Sequence, residues 1–371
     1  MFSDKNILLI ATTDNMIWQF LLPHIDYLQK SNNHINCACA KTGFWFNELK
    51  EIGLDMYEIN FARNPIHPKN LSAYKKLKKL CKNNKYDLVY CQQPVGGVMG
   101  RLIAKKFKLP CIYTAHGFHF YKGCPLVNKL IFKPVEKYCA KYTTALVTIN
   151  EEDYQNAMKF KAKKVYKING IGVDLKKYKK NENLDAIKFR SELGIEPDDF
   201  VITSIGELNK NKNTLRVIEV MSQITNPKIK YLICGQGPLQ TEYEKLIEKY
   251  NLADRVKLLG FRKDIPDILT ITDLYIMPSY REGLSKSMME AMSYGLPVVA
   301  SKIRGNVDLI GDNDGGLLFN PNDNAQILDC IMQLFESKEL RNKFAKRNIE
   351  FIKNYDVNVV VDQLSHIYDE I

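Results

Sequence analysis

No disulfide framework is legible in this chain of 371 residues. Its nine cysteines are an odd number, they are scattered, and no two stand as CxxC. The nearest pair, Cys37 and Cys39, lies two residues apart in an apolar run, on one face of a strand. That pattern fits free thiols in a reducing compartment and excludes a disulfide-stapled secreted domain. No uninterrupted apolar run reaches the roughly 18 residues a membrane span needs. The best stretch, 7–25, is broken by Asp14, Asn15 and Gln19. The first apolar run, Ile7 to Ala11, is too short for the core of a signal peptide. Short-period repeats and low-complexity segments are also missing. The expectation is a cytoplasmic protein whose only membrane contact is peripheral, on the inner face of the cell membrane.

What is present is ordinary globular material. Hydrophobic residues are 45% and charged residues 26%, enough apolar side chains for two cores, which excludes a disordered tail or a collagen. The net charge of +11 is unevenly spread. Residues 1–180 carry 30 basic and 13 acidic side chains, a balance of +17, whereas 181–371 carry 23 and 29, a balance of −6. The basic half therefore faces something anionic: phosphate, nucleic acid or a lipid headgroup.

Short β-branched runs alternate with helical patterns. In the first half "NILLIA" (6–11), "INCACA" (35–40), "DLVYC" (87–91), "CIYTA" (111–115) and "ALVTI" (145–149) read as buried parallel strands. The second half repeats the scheme with "FVITSIG" (200–206), "KYLICG" (230–235), "VKLLGF" (256–261), "DLYIMPS" (273–279) and "PVVAS" (297–301). Between strands, Leu71, Tyr74, Leu77, Leu80 and Cys81 recur at helical spacing, as do Val127, Leu130, Ile131, Val135 and Tyr138. Alternation of this kind predicts parallel sheets with right-handed crossovers, and two sets predict two doubly wound domains. The lysine-rich stretch 174–198 lacks apolar periodicity and marks the boundary.

The segment "SYREGLSKSMMEAMSYGLPVVAS" (279–301) follows a strand, as ligand loops in open α/β sheets do. Gly283 allows close backbone approach, Ser285 is an N-cap, and Gly295 with Pro297 is a stop, so a helix is predicted over 286–294. Its free N–H groups and dipole form an anion site. Glu282 stands just before that site and Glu290 roughly 7 Å further along the helix axis, at about 1.5 Å per residue. Such a pair can hold a sugar nucleotide, with its diphosphate at the helix start. The alternative, two solvated glutamates, stays open on spacing alone.

At this point the sequence resembles the retaining glycosyltransferases of family 4, in their bacterial exopolysaccharide and capsular polysaccharide branch. The resemblance is carried over nearly the whole chain by "YTAHGFHFYKG" (113–123), "TINEEDY" (148–154), "SIGELNKNKN" (204–213), "LICGQGPL" (232–239), "FRKDIP" (261–266) and "MPSYREGLSKSMMEAMSYGLPVVASKIRGNVDLI" (277–310), in order. It implies an α/β protein of GT-B fold: two Rossmann-like doubly wound parallel-sheet domains facing a central cleft. The expected limits are 1–175 for a basic, acceptor-binding domain, 176–350 for a nucleotide-sugar-binding domain, and 351–371 for a C-terminal helix crossing back. It implies that Glu282 contacts the donor sugar, that Glu290 binds the ribose, and that Gly283, Leu284 and Ser285 surround the diphosphate. Lys212 matches a lysine that neutralises the leaving group, with Gly206 in the same loop. The family's companion arginine is Glu207 here, and Lys210, Arg281 or the helix dipole are candidates to compensate. Arg262 lies in the loop whose backbone meets the nucleobase. His116 matches a histidine used on the donor sugar, although a capped core histidine is the plainer reading of the residue alone. On the acceptor side the candidates are Gly96, Gly97 and His119, with a tight strand–helix junction as the other reading of the two glycines. His116 and His119 as a metal pair lack a third ligand. "GDNDGG" (311–316) contains an Asp-x-Asp but reads as a turn. No metal and no cofactor are expected.

The resemblance thus implies a hexosyltransferase moving a hexose or N-acetylhexosamine, with retention, from a nucleotide sugar, UDP-linked by likeness to the branch. The acceptor it implies is a lipid-linked (undecaprenyl-diphosphate) saccharide in surface-polysaccharide synthesis. The basic face, with Lys129, Lys133, Lys137 and Lys141 every four residues, predicts an anionic membrane surface as a further partner. Nucleic acid is not expected, since no stacking motif or recognition helix is seen. The competing readings are a sugar-nucleotide epimerase of the same architecture, a glycosyltransferase with a soluble or protein acceptor, and a non-enzymatic binder.

Overall fold

Thirteen strands assemble into two all-parallel sheets in the computed structural model, which describes residues 2–43, 45–62, 64 and 67–371. The chain divides into two compact units, Met1–Gly172 with Val357–Ile371, and Val173–Asp356. The first boundary falls three residues before the expected one and the second six residues after it.

In the first unit the strands are β1 (Asn6–Thr13), β2 (His34–Ala40), β3 (Asp55–Glu58), β4 (Leu88–Gln92), β5 (Cys111–Ala115), β6 (Ala145–Thr148) and β7 (Lys164–Lys167), in the order β3-β2-β1-β4-β5-β6-β7. The central strands are buried along their whole length, as helices on both faces of a parallel sheet require. Chain order reverses between β1 and β4, so loops leaving their carboxyl ends frame a crevice. In the second unit β8 (Phe200–Ile205), β9 (Ile229–Cys234), β10 (Val256–Gly260), β11 (Leu274–Met277), β12 (Val298–Ser301) and β13 (Gly316–Phe319) run β10-β9-β8-β11-β12-β13, which puts the reversal between β8 and β11.

The helices that matter below are α1 (Leu22–Lys30), α2 (Lys69–Asn83), α3 (Pro94–Phe107), α4 (Leu126–Ala140), α5 (Glu151–Ala157), α6 (Thr214–Met221), α7 (Lys286–Ser293) and α8 (Val357–Asp369). Two predicted helix faces need correction. On α2 the inward residues are Ala73, Leu77, Leu80 and Cys81, while Leu71 is exposed. On α4 the predicted apolar face, Val127, Leu130, Ile131, Val135 and Tyr138, points outward, and the buried residues are Glu136, Cys139 and Ala140. The reason is a partner that periodicity does not show. Buried Arg101 of α3 donates from Nη1 to Glu136 Oε2 at 2.7 Å, and the Tyr113 hydroxyl donates to Oε1 at 3.2 Å.

The helix α8 packs within the first unit. Tyr368 meets Tyr90 edge-on at 5.9 Å, and the Asn169 amide donates to Gln363 Oε1 at 2.9 Å. All nine cysteines are buried and free. Among the described residues no helix is long and apolar enough to cross a membrane.

Candidate active site

In the second unit the loop 206–213, after β8, and the loop 278–285, after β11, lie side by side because their strands are neighbours at the reversal. Backbone and asparagine side chains stitch them together. The Tyr280 amide donates to Asn211 O at 2.8 Å, Asn211 Nδ2 to Arg281 O at 2.9 Å, and Asn213 Nδ2 to Pro278 O at 3.1 Å. Asn213 sits in the left-handed region (φ 55°), where asparagine is tolerated best after glycine. These contacts bring Lys212 Nζ to 2.8 Å from Glu282 Oε1, with both side chains largely buried. Two of the predicted catalytic residues, 70 positions apart, are thus one ion pair.

Gly206 lies against the Lys212 stem, where a Cβ would stand 3.1 Å from Cε. Glu207 is exposed and accepts from Asn209 Nδ2 at 3.0 Å. Gly283 is crossed by Gly305, whose φ of +78° and lack of a side chain allow its backbone within reach of Gly283 O; a Cβ there would fall 2.1 Å from that oxygen. Beside it, buried Arg304 donates from Nε to Glu282 O at 3.2 Å, so an arginine does approach the Glu282 loop. Lys210 is exposed and Arg281 half-buried.

The helix α7 starts as expected, with Ser285 Oγ accepting from the Met288 amide at 3.3 Å, and ends one residue earlier than expected. Leu284 packs on the core below it. Glu290 is buried on this helix, and burial raises its pKa above the usual carboxylate value against the opposing pull of Lys286 and a hydrogen bond with Tyr178. Lys286 Nζ stands 3.9 Å from Glu290 Oε1, and burial lowers the lysine's own pKa. Arg262 is turned back onto Asp264, donating from Nε at 2.8 Å, and its loop follows Gly260, whose carbonyl accepts from the Gly235 amide at 2.8 Å. Residues 311–315 form a turn, with Asn313 at φ 61°.

In the first unit His116 follows β5. Its Nε2 lies 2.6 Å from Gln92 Oε1, so Nε2 carries the proton and Nδ1 keeps its lone pair. Burial pushes His116 down to about 4, and His24 of α1 adds to the effect. Burial also pushes His24 to about 4, although its Nε2 donates to Ile171 O at 3.2 Å. His116 is therefore a neutral hydrogen-bonding group at pH 7. His119 is engaged elsewhere, packed on the Phe132 ring at 4.6 Å. Gly96 and Gly97 are buried, and a Cβ on Gly97 would strike the Tyr113 ring at 2.2 Å, so the tight strand–helix junction accounts for them. Next to them Gln93 holds φ 62° and ψ 168°, a region otherwise almost confined to glycine, at the reversal of this sheet.

Two depressed histidines make stability pH-dependent. The folded protein keeps both neutral where the unfolded chain takes up protons, so this contribution is complete above pH 6.5 and lost as pH falls toward 4. Each histidine contributes at most about 3 kcal/mol. Thermal melts from pH 7 to 4.5 should show a falling midpoint with a shallower slope for His24→Asn; equal slopes would contradict the assignment.

Residues 6–150 match the family described as "Glycosyl transferase 4-like", and 185–351 match "Glycosyl transferases group 1". EpsD of Bacillus subtilis (strain 168), named as a glycosyltransferase, is 32% identical over 98% of this chain and 96% of its own length. The chain belongs to the family 4 glycosyltransferases. A second relative, the UDP-Gal:alpha-D-GlcNAc-diphosphoundecaprenol alpha-1,3-galactosyltransferase of Escherichia coli, is 30% identical over 94% of this chain and 92% of that one. Among solved structures, Alr3699/HepE of Anabaena in complex with UDP and glucose superposes with a TM-score of 0.84 at 19% identity, covering 99% of this chain and 100% of that one. The fold is GT-B, and the protein is a glycosyl-transferring enzyme, which excludes the epimerase and the non-enzymatic binder. Sequence reading of this glycosyltransferase missed Asn211, Asn213, Tyr178, Lys286, Arg304, His24 and Gln92. Of these Asn211, Asn213, Lys286 and Arg304 stood inside the motifs that carried the resemblance.

Proposed function

We propose that this glycosyltransferase moves a hexose or N-acetylhexosamine, with retention, from a UDP-sugar to a lipid-linked saccharide of the undecaprenyl-diphosphate type, in the making of a surface polysaccharide. The observation that carries the donor half is the Lys212–Glu282 pair at the sheet reversal, one loop from the N-terminus of α7. Breaking the sugar–phosphate bond leaves a diphosphate whose growing charge needs preorganised partners. Lys212 and the free amides of α7 supply them, with Lys286 close behind, and Glu282 turns toward the sugar hydroxyls as Lys212 moves to phosphate. Glu290 accepts from the ribose hydroxyls. The neutral His116 offers its Nδ1 lone pair to a sugar hydroxyl. The acceptor half is supported by the printed activity of the Escherichia coli relative and by the basic first unit. The enzyme works against the anionic inner face of the membrane as a peripheral protein, and side-chain cations replace a metal at the diphosphate.

The test is incubation of purified protein with UDP-, GDP- and ADP-sugars, with and without an undecaprenyl-diphosphate saccharide, and NMR of the product anomer. One UDP-sugar should be consumed only with acceptor, its configuration kept, at a rate EDTA does not change. Inversion, or transfer only to a soluble saccharide, would contradict the reading.

A further inference from the structure

Gln92 is the last residue of β4, pairs in register with Thr114 of β5 and is fully buried. An apolar side chain would fill that place without needing any hydrogen bond, whereas glutamine brings an acceptor and a donor that must each find one. Only the acceptor does. Gln92 Oε1 lies 2.6 Å from His116 Nε2, but the amide nitrogen is buried without a well-formed hydrogen bond and has the Tyr90 hydroxyl as a weak neighbour. A half-satisfied buried amide is destabilising, so the reason for a glutamine here lies in what it does to His116.

Both ends of this bond are held in place. Adjacent Gln93 turns the other way and accepts from the Thr12 amide at 3.0 Å, which ties the end of β4 to β1. Two residues past His116, the Phe118 amide donates to buried Asp153 of α5 at 3.1 Å, and Asp153 also accepts from Asn150 Nδ2 at 2.8 Å. The Phe118 ring stacks on Phe120 at 4.8 Å. The titratable neighbour that acts on His116 is His24 of α1, itself kept neutral by burial. An amide oxygen accepts a hydrogen bond without carrying a charge. It therefore selects which ring nitrogen bears the proton and does not favour the imidazolium, as a carboxylate in the same place would.

We propose that Gln92 is a positioning residue: it fixes His116 as the neutral Nε2–H tautomer, so that Nδ1 presents a lone pair which accepts from one hydroxyl of the donor sugar and rejects a sugar unable to donate there. This rests on the sugar role proposed above for His116 and adds what fixes the active nitrogen and which sugars it admits, those with a free hydroxyl at the position His116 meets. Fluorine separates the two directions of the bond, because it is smaller than a hydroxyl, can accept weakly and cannot donate.

The experiment has two arms, both on the full chain. Long-range nitrogen–proton NMR of protein labelled at the histidine nitrogens, assigned with His116→Ala and His24→Asn, reads the tautomer directly. Wild type should show Nε2 protonated and Nδ1 bare at neutral pH, and Gln92→Leu a mixture of tautomers. Gln92→Glu should hold the imidazolium to a higher pH than wild type, in which burial keeps the ring neutral down to about 4. In the second arm, the affinities of UDP-glucose, UDP-galactose and UDP-N-acetylglucosamine, intact and with single hydroxyls replaced by fluorine, are measured against that of UDP. Wild type should lose about tenfold at one fluorinated position, and His116→Ala should abolish that loss. Gln92→Leu should reduce it, and should have no further effect in a His116→Ala background, where a merely structural glutamine would keep its full effect. UDP affinity should stay at the wild-type value in each variant, which shows that the second unit remains folded. An Nδ1–H tautomer in wild type, an unchanged tautomer in Gln92→Leu, or a Gln92→Leu effect that is the same with and without His116 would overturn the positioning role and leave His116 on the sugar. A His116→Ala protein that binds every sugar nucleotide as wild type does would overturn both.

Discussion

Glu282→Ala should lower turnover by about 10²–10³ while changing UDP affinity little, the loss expected when one polar group aimed at the reacting centre is removed. Glu290→Ala should do the reverse, weakening UDP binding by about 10- to 100-fold with a smaller effect on turnover of bound donor, because charged hydrogen bonds to hydroxyls contribute about 1.5–3 kcal/mol. Lys212→Ala should resemble Glu282→Ala in turnover and add a cost in stability, since it leaves the Glu282 carboxylate, 14% exposed, without its ion-pair partner. The double variant should be far less impaired than the product of the two single losses, because one ion pair joins the residues at 2.8 Å. Calorimetry with UDP and initial rates with the preferred donor separate these outcomes. Strict multiplication of the two single losses would show that the pair acts as two independent groups and would remove the basis for assigning them to one step.

The central strands were legible because each is a continuous apolar run: "CIYTA" is β5 residue for residue, and "KYLICG" misses β9 by one residue at either end. Of the four edge strands only β10 was legible, from the apolar run in "VKLLGF"; β3 ("DMYE"), β7 ("KVYK") and β13 ("GLLF") were not, since an edge strand has one neighbour, keeps exposed positions and can do without a long apolar run. The helix α7 was legible from its Ser285 cap and Gly295 stop, both local signals. The Lys212–Glu282 pair was not, because its spacing is set by the neighbouring of β8 and β11, a property of topology rather than of either loop. The pairing of His116 with Gln92 is hidden for the same reason: the two residues end adjacent strands 24 positions apart. On α4 periodicity found the apolar stripe correctly and gave it the wrong direction. A stripe alone cannot say whether it faces the core or the outside, and the deciding partner, Arg101, is 35 residues upstream.

Glu136→Ala should destabilise the first unit by about 3–5 kcal/mol, the cost of leaving a buried charge without its partner. The Arg101 guanidinium is fully buried, donates from Nε to Gly97 O at 2.9 Å, and lies 3.9 Å above the Tyr113 ring. Burial works against its charge, but Glu136 beside it outweighs that and holds the guanidinium above its ordinary pKa. Removing the carboxylate therefore strands a cation that cannot shed its proton. Arg101→Met with Glu136→Leu should recover most of the loss, because well-packed apolar side chains often replace a buried pair at little cost. Since Glu136 is the polar anchor of α4, the single variant should lower the stability of the first unit while the second unit keeps its UDP affinity. The double replacement should restore the stability. Urea unfolding has to be followed with a probe in each unit, because two units need not unfold together. A Glu136→Ala protein as stable as wild type would mean that water reaches Arg101 and that α4 is held by Cys139 and Ala140 alone.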